Sequence, residues 1–165
     1  VGEGSSLEPA EGVIIDTVED VMGQTSDTRY DLLFTNSQVI AAIVLHPSDL
    51  TPAYTKRAGL QELAMGAAIR MRQVRALSRK IENERRQGFK NKTPDAILRT
   101  HRASFKISYK DIFSAKVVEG LFGVRLEFDA YAMNGIRRKF KFKLHTADQE
   151  NVRRLLNLTL PGKVV

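Results

Sequence analysis

The sequence predicts an α+β fold: a bent antiparallel sheet or open barrel of seven strands, closed by a C-terminal helix. A long helix is expected as an insertion between strands three and four. Three observations carry this reading. Residues 123–131 and 136–145 each alternate apolar with charged side chains, the period-two mark of half-buried antiparallel strands. Asn134-Gly135 separates them, a hairpin signal. A stripe of helical period, Val152, Leu155, Leu156 and Thr159, follows at once and suits a helix lying on the sheet.

Taken in order, residues 1–12 (VGEGSSLEPAEG) read as a flexible leader, and 13–165 as one domain, a length that can bury a real core. Residues 13–21 are apolar enough for a first strand, and 22–27 turn the chain. Tyr30, Leu32 and Phe34 alternate in RYDLLFT, a second strand. Residues 38–46 (QVIAAIVLH) are more continuously apolar and predict a third strand covered on both faces. The helical insertion spans 47–103. Thr51-Pro52 reads as an N-cap with proline in the first turn, and Gly88 as the stop of a helix over 52–86. Gly66 inside it costs about 1 kcal/mol against alanine and marks a place for a bend. Thr93-Pro94-Asp95 opens a second, short helix to about Thr100. Strands follow at 104–108 and 112–119, then the hairpin, so that 104–145 holds strands four to seven. The last helix, 146–160, takes Thr146 as N-cap with Gln149 three on as a capping box, and Pro161-Gly162 ends it.

The hairpin register follows from its hydrophobic pattern. A two-residue loop would pair Phe128 with Lys141 and split the apolar set across both faces. A three-residue loop, Met133-Asn134-Gly135, pairs Phe128 with Phe140 and Leu126 with Phe142, and sets Asp129 opposite Lys139 and Glu127 opposite Lys141. That register, with Gly135 left-handed, is the expectation.

The segments SFKISYKDIFSAKVVEG, GVRLEFD and RRKFKFKLHTADQENVRRLL together resemble the C-terminal half of prokaryotic pleckstrin-homology-like (PH/GRAM-type) domains, and RYDLLFTNSQVIA resembles their early hairpin. The likeness covers 13–46 and 104–160, and leaves the helix between as an insertion. It implies a non-enzymatic binding module for a protein partner or an acidic membrane surface. Lipid-binding members hold inositol phosphates with lysines and arginines around the first strand-to-strand loop. Here that loop, MGQTSDT, contains none, so the phosphoinositide ligand is not carried over to any residue.

Charge points to the inserted helix. Between Lys56 and Lys92 stand eleven basic and three acidic residues, a net of +8 against +7 for the whole chain, which leaves the remainder at −1. At 100° per residue Arg72, Arg75, Arg79 and Arg86 share one flank. This face reads as a contact for phospholipid headgroups, nucleic acid or an acidic partner, or else as a solvated face with internal pairs such as Glu82 to Arg86. Nucleic acid is the alternative function, and a structural or oligomerisation role the second alternative. The apolar stripe of the same helix, Leu60, Leu63, Ala67, Met71, Val74, Leu77 and Ile81, runs near a heptad. It either packs on the domain's own sheet or, through Leu60, Leu63, Val74, Leu77 and Ile81, pairs with a second copy. The row Lys139, Lys141 and Lys143 faces Glu127 and Asp129 across the hairpin, and local neutralisation is its expected role. Phe140 and Phe142 lie on the opposite face from these lysines, so the two do not share a nucleic-acid stacking surface.

Catalytic signals are thin. His46, His101 and His145 are scattered and lack metal-ligand spacing, and no phosphate-binding or nucleophile-elbow motif occurs. The acids at Glu19-Asp20, Glu127-Asp129 and Asp148-Glu150 read as solvated positions. The expectation is no catalytic residue, no metal and no cofactor. There are no cysteines, hence no disulfides or cysteine-held zinc. No apolar run approaches the roughly 20 residues of a membrane span and no signal-peptide pattern is visible, so the expected location is the cytoplasm or the cytoplasmic membrane face.

Overall fold

A computed structural model describes residues 12–23, 27–51 and 62–165, with the side chains of 62–65 left aside. The described residues form β1 (Ile14–Gly23), β2 (Arg29–Thr35), β3 (Gln38–Leu45), α1 (Glu62–Phe89), α2 (Pro94–Leu98), β4 (Phe105–Ser108), β5 (Ile112–Gly120), β6 (Gly123–Tyr131), β7 (Arg137–Leu144) and α3 (Gln149–Thr159). The strands make one antiparallel sheet in the order β4-β3-β2-β1-β7-β6-β5. The leader, the 24–26 stretch of the first turn and Thr51-Pro52's proposed cap lie wholly or partly outside the described residues.

The sheet curls on itself. Among the described residues β1 meets β7 through two residue pairs, Met22 with Lys143 and Gly23 with Phe142. Across the interior, Phe105 of β4 stacks on Phe140 and Phe142 of β7, with ring centroids 5.4 and 6.2 Å apart. Those strands are four places apart in the sheet order, so contact requires the two halves to face each other. β1 has the irregularities that such a bend needs. Its pairing with β2 shifts register between Val18 and Val21, where Asp20 takes a left-handed φ of 57°. The extra residue lets Val18 and Val21, three apart, both point into the core.

Between the halves lies the main core, which includes Leu32, Phe34, Leu126, Phe128 and Phe142. α3 closes it: Val152, Leu155 and Leu156 are each 0 % exposed, as their spacing predicts. A second, smaller cluster sits on the other face of β2 and β3, where Leu33, Ile40 and Ala42 meet Ile97 of α2, with Phe89 of α1 packed against them. This explains the unbroken apolar run of β3, which is buried from Val39 to Leu45 because helices cover the face the barrel does not.

The hairpin register is as expected. Phe128 pairs with Phe140 and Leu126 with Phe142, Ala132 N–H donates to the Ile136 carbonyl at 2.9 Å, and Gly135 has φ 76°. The carboxylates facing the lysine row are engaged elsewhere, however. Asp129 takes two hydrogen bonds from Arg137, and Glu127 is nearest Lys116 and Arg125. Among the described residues Lys139, Lys141 and Lys143 make no close ion pair, yet Lys139 faces Asp129 and Lys141 faces Glu127 across the hairpin, and Lys139 adds to the Arg137 hydrogen bonds that hold the Asp129 carboxyl below its usual range.

Two helix ends differ from expectation. α1 runs unbroken through Gly66 and Gly88 to Phe89. Its stop is Asn91, whose φ of 65° gives the left-handed turn that ends a helix. Gly88 lies inside because nothing there demands a positive φ. Thr146 does not cap α3: residues Thr146–Asp148 form a 3-10 turn first, and the Gln149 amide donates to Glu119 of β5 rather than closing a box. The short α2 keeps its predicted cap, Thr93 accepting from Ala96 N–H at 3.2 Å. Past Gly162 the tail lies along β5, with Ala115 N–H donating to Lys163 and Val165 N–H donating to Ala115, and so covers part of that edge.

Candidate functional site

The polar centre of the molecule is the seam between α1 and the outer face of β2. The sheet-facing positions in the C-terminal half of α1 are Ser78, Glu82, Arg85 and Arg86, and charge rather than apolar packing fastens them. Arg86 donates from Nε and a terminal nitrogen to the two oxygens of Asp31, both at 2.8 Å. Asp31 is buried, with its side chain 3 % exposed, and it also accepts from Asp20 N–H at 3.0 Å. The Asp31 hydrogen bonds hold the Arg86 guanidinium well above its ordinary value, outweighing its partial loss of water. Arg29, the first residue of β2, donates to buried Glu82 at 2.9 Å and lies 3.6 Å from Asp20. His145 Nε2 stands 3.1 Å from the other oxygen of Asp20.

The neighbouring residue of α1 makes a second clamp. Arg85 makes a two-pronged contact with Asp49 at 2.7 and 3.0 Å and reaches the Val44 carbonyl at 3.2 Å. Burial pushes the Asp49 carboxyl up, but the Arg85 and His46 hydrogen bonds prevail and hold it below its usual range. Beside it the rings of His46 and His101, far apart in sequence, come within 5.5 Å, and burial together with Arg85 lowers His101. Nδ1 of each accepts from a backbone N–H, of Ser48 and of Ala103 respectively. Only a contact between the chain after β3 and the chain before β4 brings them together. Among the described residues no group of three or more His, Asp or Glu could hold a metal ion.

These contacts fix the direction of α1. Glu82 meets Arg29, Arg86 meets Asp31, and Phe89 packs with Leu33, so the helix advances alongside β2 in the same sense. Four helical residues rise about 6 Å and two strand residues about 6.6 Å, so the two march in step. The part before Ser78 therefore runs past Arg29 and beyond the β1–β2 end of the sheet. From Glu62 to Leu77 that overhang is about 24 Å long. Along it Ile69 and Met71 are 51 % and 53 % exposed, whereas Gly66 is buried and Arg70 half-buried.

Of the residues singled out as an anion-binding flank, Arg86 is committed to Asp31. Arg72, Arg75 and Arg79 are exposed, and among the described residues they form no ion pair. The same flank thus meets the sheet at one end and solvent at the other. Of the self-association stripe, Val74, Leu77 and Ile81 are half-buried. Leu60 lies outside the described residues, as does the Leu63 side chain. No helix among the described residues is long and apolar enough to cross a membrane. No family model, no curated protein and no solved structure matches this chain.

Proposed function

We propose that the chain is a non-enzymatic interaction module, of the pleckstrin-homology-like type its sequence resembles, and that the arginine face of α1 is its contact with an acidic membrane surface or acidic protein partner. The observation that carries this reading is the split fate of one helix flank. Arg86 is neutralised by Asp31, whereas Arg72, Arg75 and Arg79 stand exposed on or at the root of the overhang. Cations needed only to hold the helix would end where the sheet ends. Arg72 and Arg75 continue past it and Arg79 stands exposed at its root, with no described carboxylate to meet them. Nucleic acid is the second reading: Phe140 and Phe142, on the strand that carries the lysine row, are 7 % and 2 % exposed and offer no base a stacking face.

The test is a parallel titration of acidic vesicles, duplex DNA and single-stranded DNA with wild type and R72Q/R75Q/R79Q. At about 1 kcal/mol per basic residue near an anionic bilayer, the triple variant should lose roughly two orders of magnitude in vesicle affinity. Tight duplex binding, with a logarithmic salt slope near about −3, would favour nucleic acid instead. A variant that binds every polyanion as tightly as wild type would reduce the arginines to a solvated face and sink the proposal.

A further inference from the structure

The turn between β5 and β6 is built against the usual chemistry of such turns. Gly120 pairs with Gly123, which leaves Leu121 and Phe122 as the two-residue loop, where polar and glycine residues normally sit. Their side chains are 99 % and 91 % exposed, the two highest exposures of any large apolar residue described. Behind the tip is a cavity of about 430 Å³ whose wall includes Met22, Phe142, Arg125, Lys141 and Lys143, and among the described residues no acidic one lines it. Lys141 and Lys143 have no described ion-pair partner. The tip therefore carries an apolar apex with a cationic collar at its base.

The tip stands apart from α1. In the antiparallel order β4-β3-β2-β1-β7-β6-β5 the β1–β2 turn shares one end of the sheet with the β6–β7 hairpin, and the β5–β6 turn lies at the opposite end, beside the start of α3, where Glu119 accepts from Gln149 and Arg153. The apex and its collar are therefore a cationic element separate from the α1 overhang.

We propose that Leu121 and Phe122 insert into an anionic phospholipid bilayer while Arg125, Lys141 and Lys143 meet its headgroups. The inference goes beyond the α1 reading, from which the tip is separated across the sheet, and names the bilayer as the acidic surface the tip meets. Size decides between occupants. Two side chains at a convex apex bury on the order of 300 Å², well short of the roughly 800 Å² per partner of a stable protein interface. A fluid acyl layer accepts a small wedge without needing a matching groove, and the collar supplies long-range attraction to acidic lipid.

The chain has no tryptophan, so Phe122→Trp places a single reporter at the apex. Vesicles of equal parts phosphatidylcholine and phosphatidylserine should shift its emission to shorter wavelength, and brominated acyl chains should quench it. Pure phosphatidylcholine should do neither. L121S/F122S should lower binding to the acidic vesicles by about tenfold or more while leaving thermal unfolding unchanged, because the side chains touch little else. Unshifted emission from protein that cosediments with acidic vesicles would overturn the insertion and leave the arginine reading of α1 standing. So would failure to bind vesicles together with arginine-dependent binding to a soluble polyanion. A blue shift that needs no lipid and grows with protein concentration would mean that a second copy covers the tip, and would equally overturn it.

Discussion

Arg86 and Asp31, 55 residues apart in sequence, meet in a two-pronged contact with both hydrogen bonds at 2.8 Å. The pair is unequal: the Asp31 side chain is 3 % exposed and that of Arg86 23 %. Breaking it from either side should therefore cost different amounts. Arg86→Met strands a buried carboxylate among Glu82, Glu19 and Asp20, and should cost about 3–5 kcal/mol. Asp31→Asn removes the buried charge and leaves Arg86 within 3.8 Å of Glu82 and 3.9 Å of Glu19, so about 1–3 kcal/mol is expected. Urea unfolding of the two variants checks the order. A cost below about 0.5 kcal/mol for Arg86→Met would mean that the clamp does not hold α1 to the sheet.

That clamp also marks where sequence reading stops. The β6–β7 register was legible because a one-residue slip would expose Phe128, Phe140 and Phe142 together, a penalty that pattern alone reveals. The face of α3 was legible for the same reason. The seam under α1 was not, because Glu82, Arg85 and Arg86 look like surface residues until Asp31 and Asp49 are brought to them. Asp31 gave no warning, sitting at a polar position of an alternating strand. A continuously apolar β3 did signal that something covers its outer face, though not that the cover would be fastened by salt bridges. The left-handed Asn91 and the bulge at Asp20 depend on backbone geometry that residue type only weakly encodes.

Leu155 tests the closure of the barrel. It is 0 % exposed in the main core, whereas Leu158 on the same helix is 60 % exposed. Leu155→Ala should cost about 2–5 kcal/mol through lost burial and the cavity left behind. Leu158→Ala should stay within about 0.5 kcal/mol of wild type. Equal effects at the two sites would contradict the packing of α3 on the sheet.

Tyr109 should make the protein lose stability in alkali. Burial pushes its phenol from 10.0 up to about 12, more than offsetting the hydrogen bonds it makes with Thr159 and the Thr35 carbonyl. Its hydroxyl donates to Thr35 O at 2.7 Å. Below pH 10 the phenol is neutral in both states and contributes no slope. Between 10 and about 12 the unfolded chain gives up the proton and the folded one keeps it, so stability falls as pH rises through this window. Tyr109→Phe should flatten that alkaline slope, at a cost of about 0.5–1.5 kcal/mol at neutral pH for the lost hydrogen bond. Denaturant midpoints at neutral pH and within the window decide it; a slope unchanged in the variant would place the alkaline loss elsewhere.

The overhang of α1 predicts a gradient of protection along one helix. From Ser78 to Phe89 the amides belong to turns clamped by Asp31, Asp49 and Glu82–Arg29, and they should exchange only with opening of the seam or the whole domain. From 67 to 73 the side chains are exposed except for half-buried Arg70, and a helical stretch of that length with so little tertiary support is marginal in water. Its amides should exchange faster than those after Ser78 by orders of magnitude, with the change of rate falling near Val74 to Leu77, where the side chains become half-buried. Native-state hydrogen exchange of dilute protein reads this directly. Uniform protection over 66–89 would contradict an unsupported overhang. If that protection rose with protein concentration, the apolar side that includes Met71, Val74 and Leu77 would be shown to pair with a second copy rather than to stand in solvent.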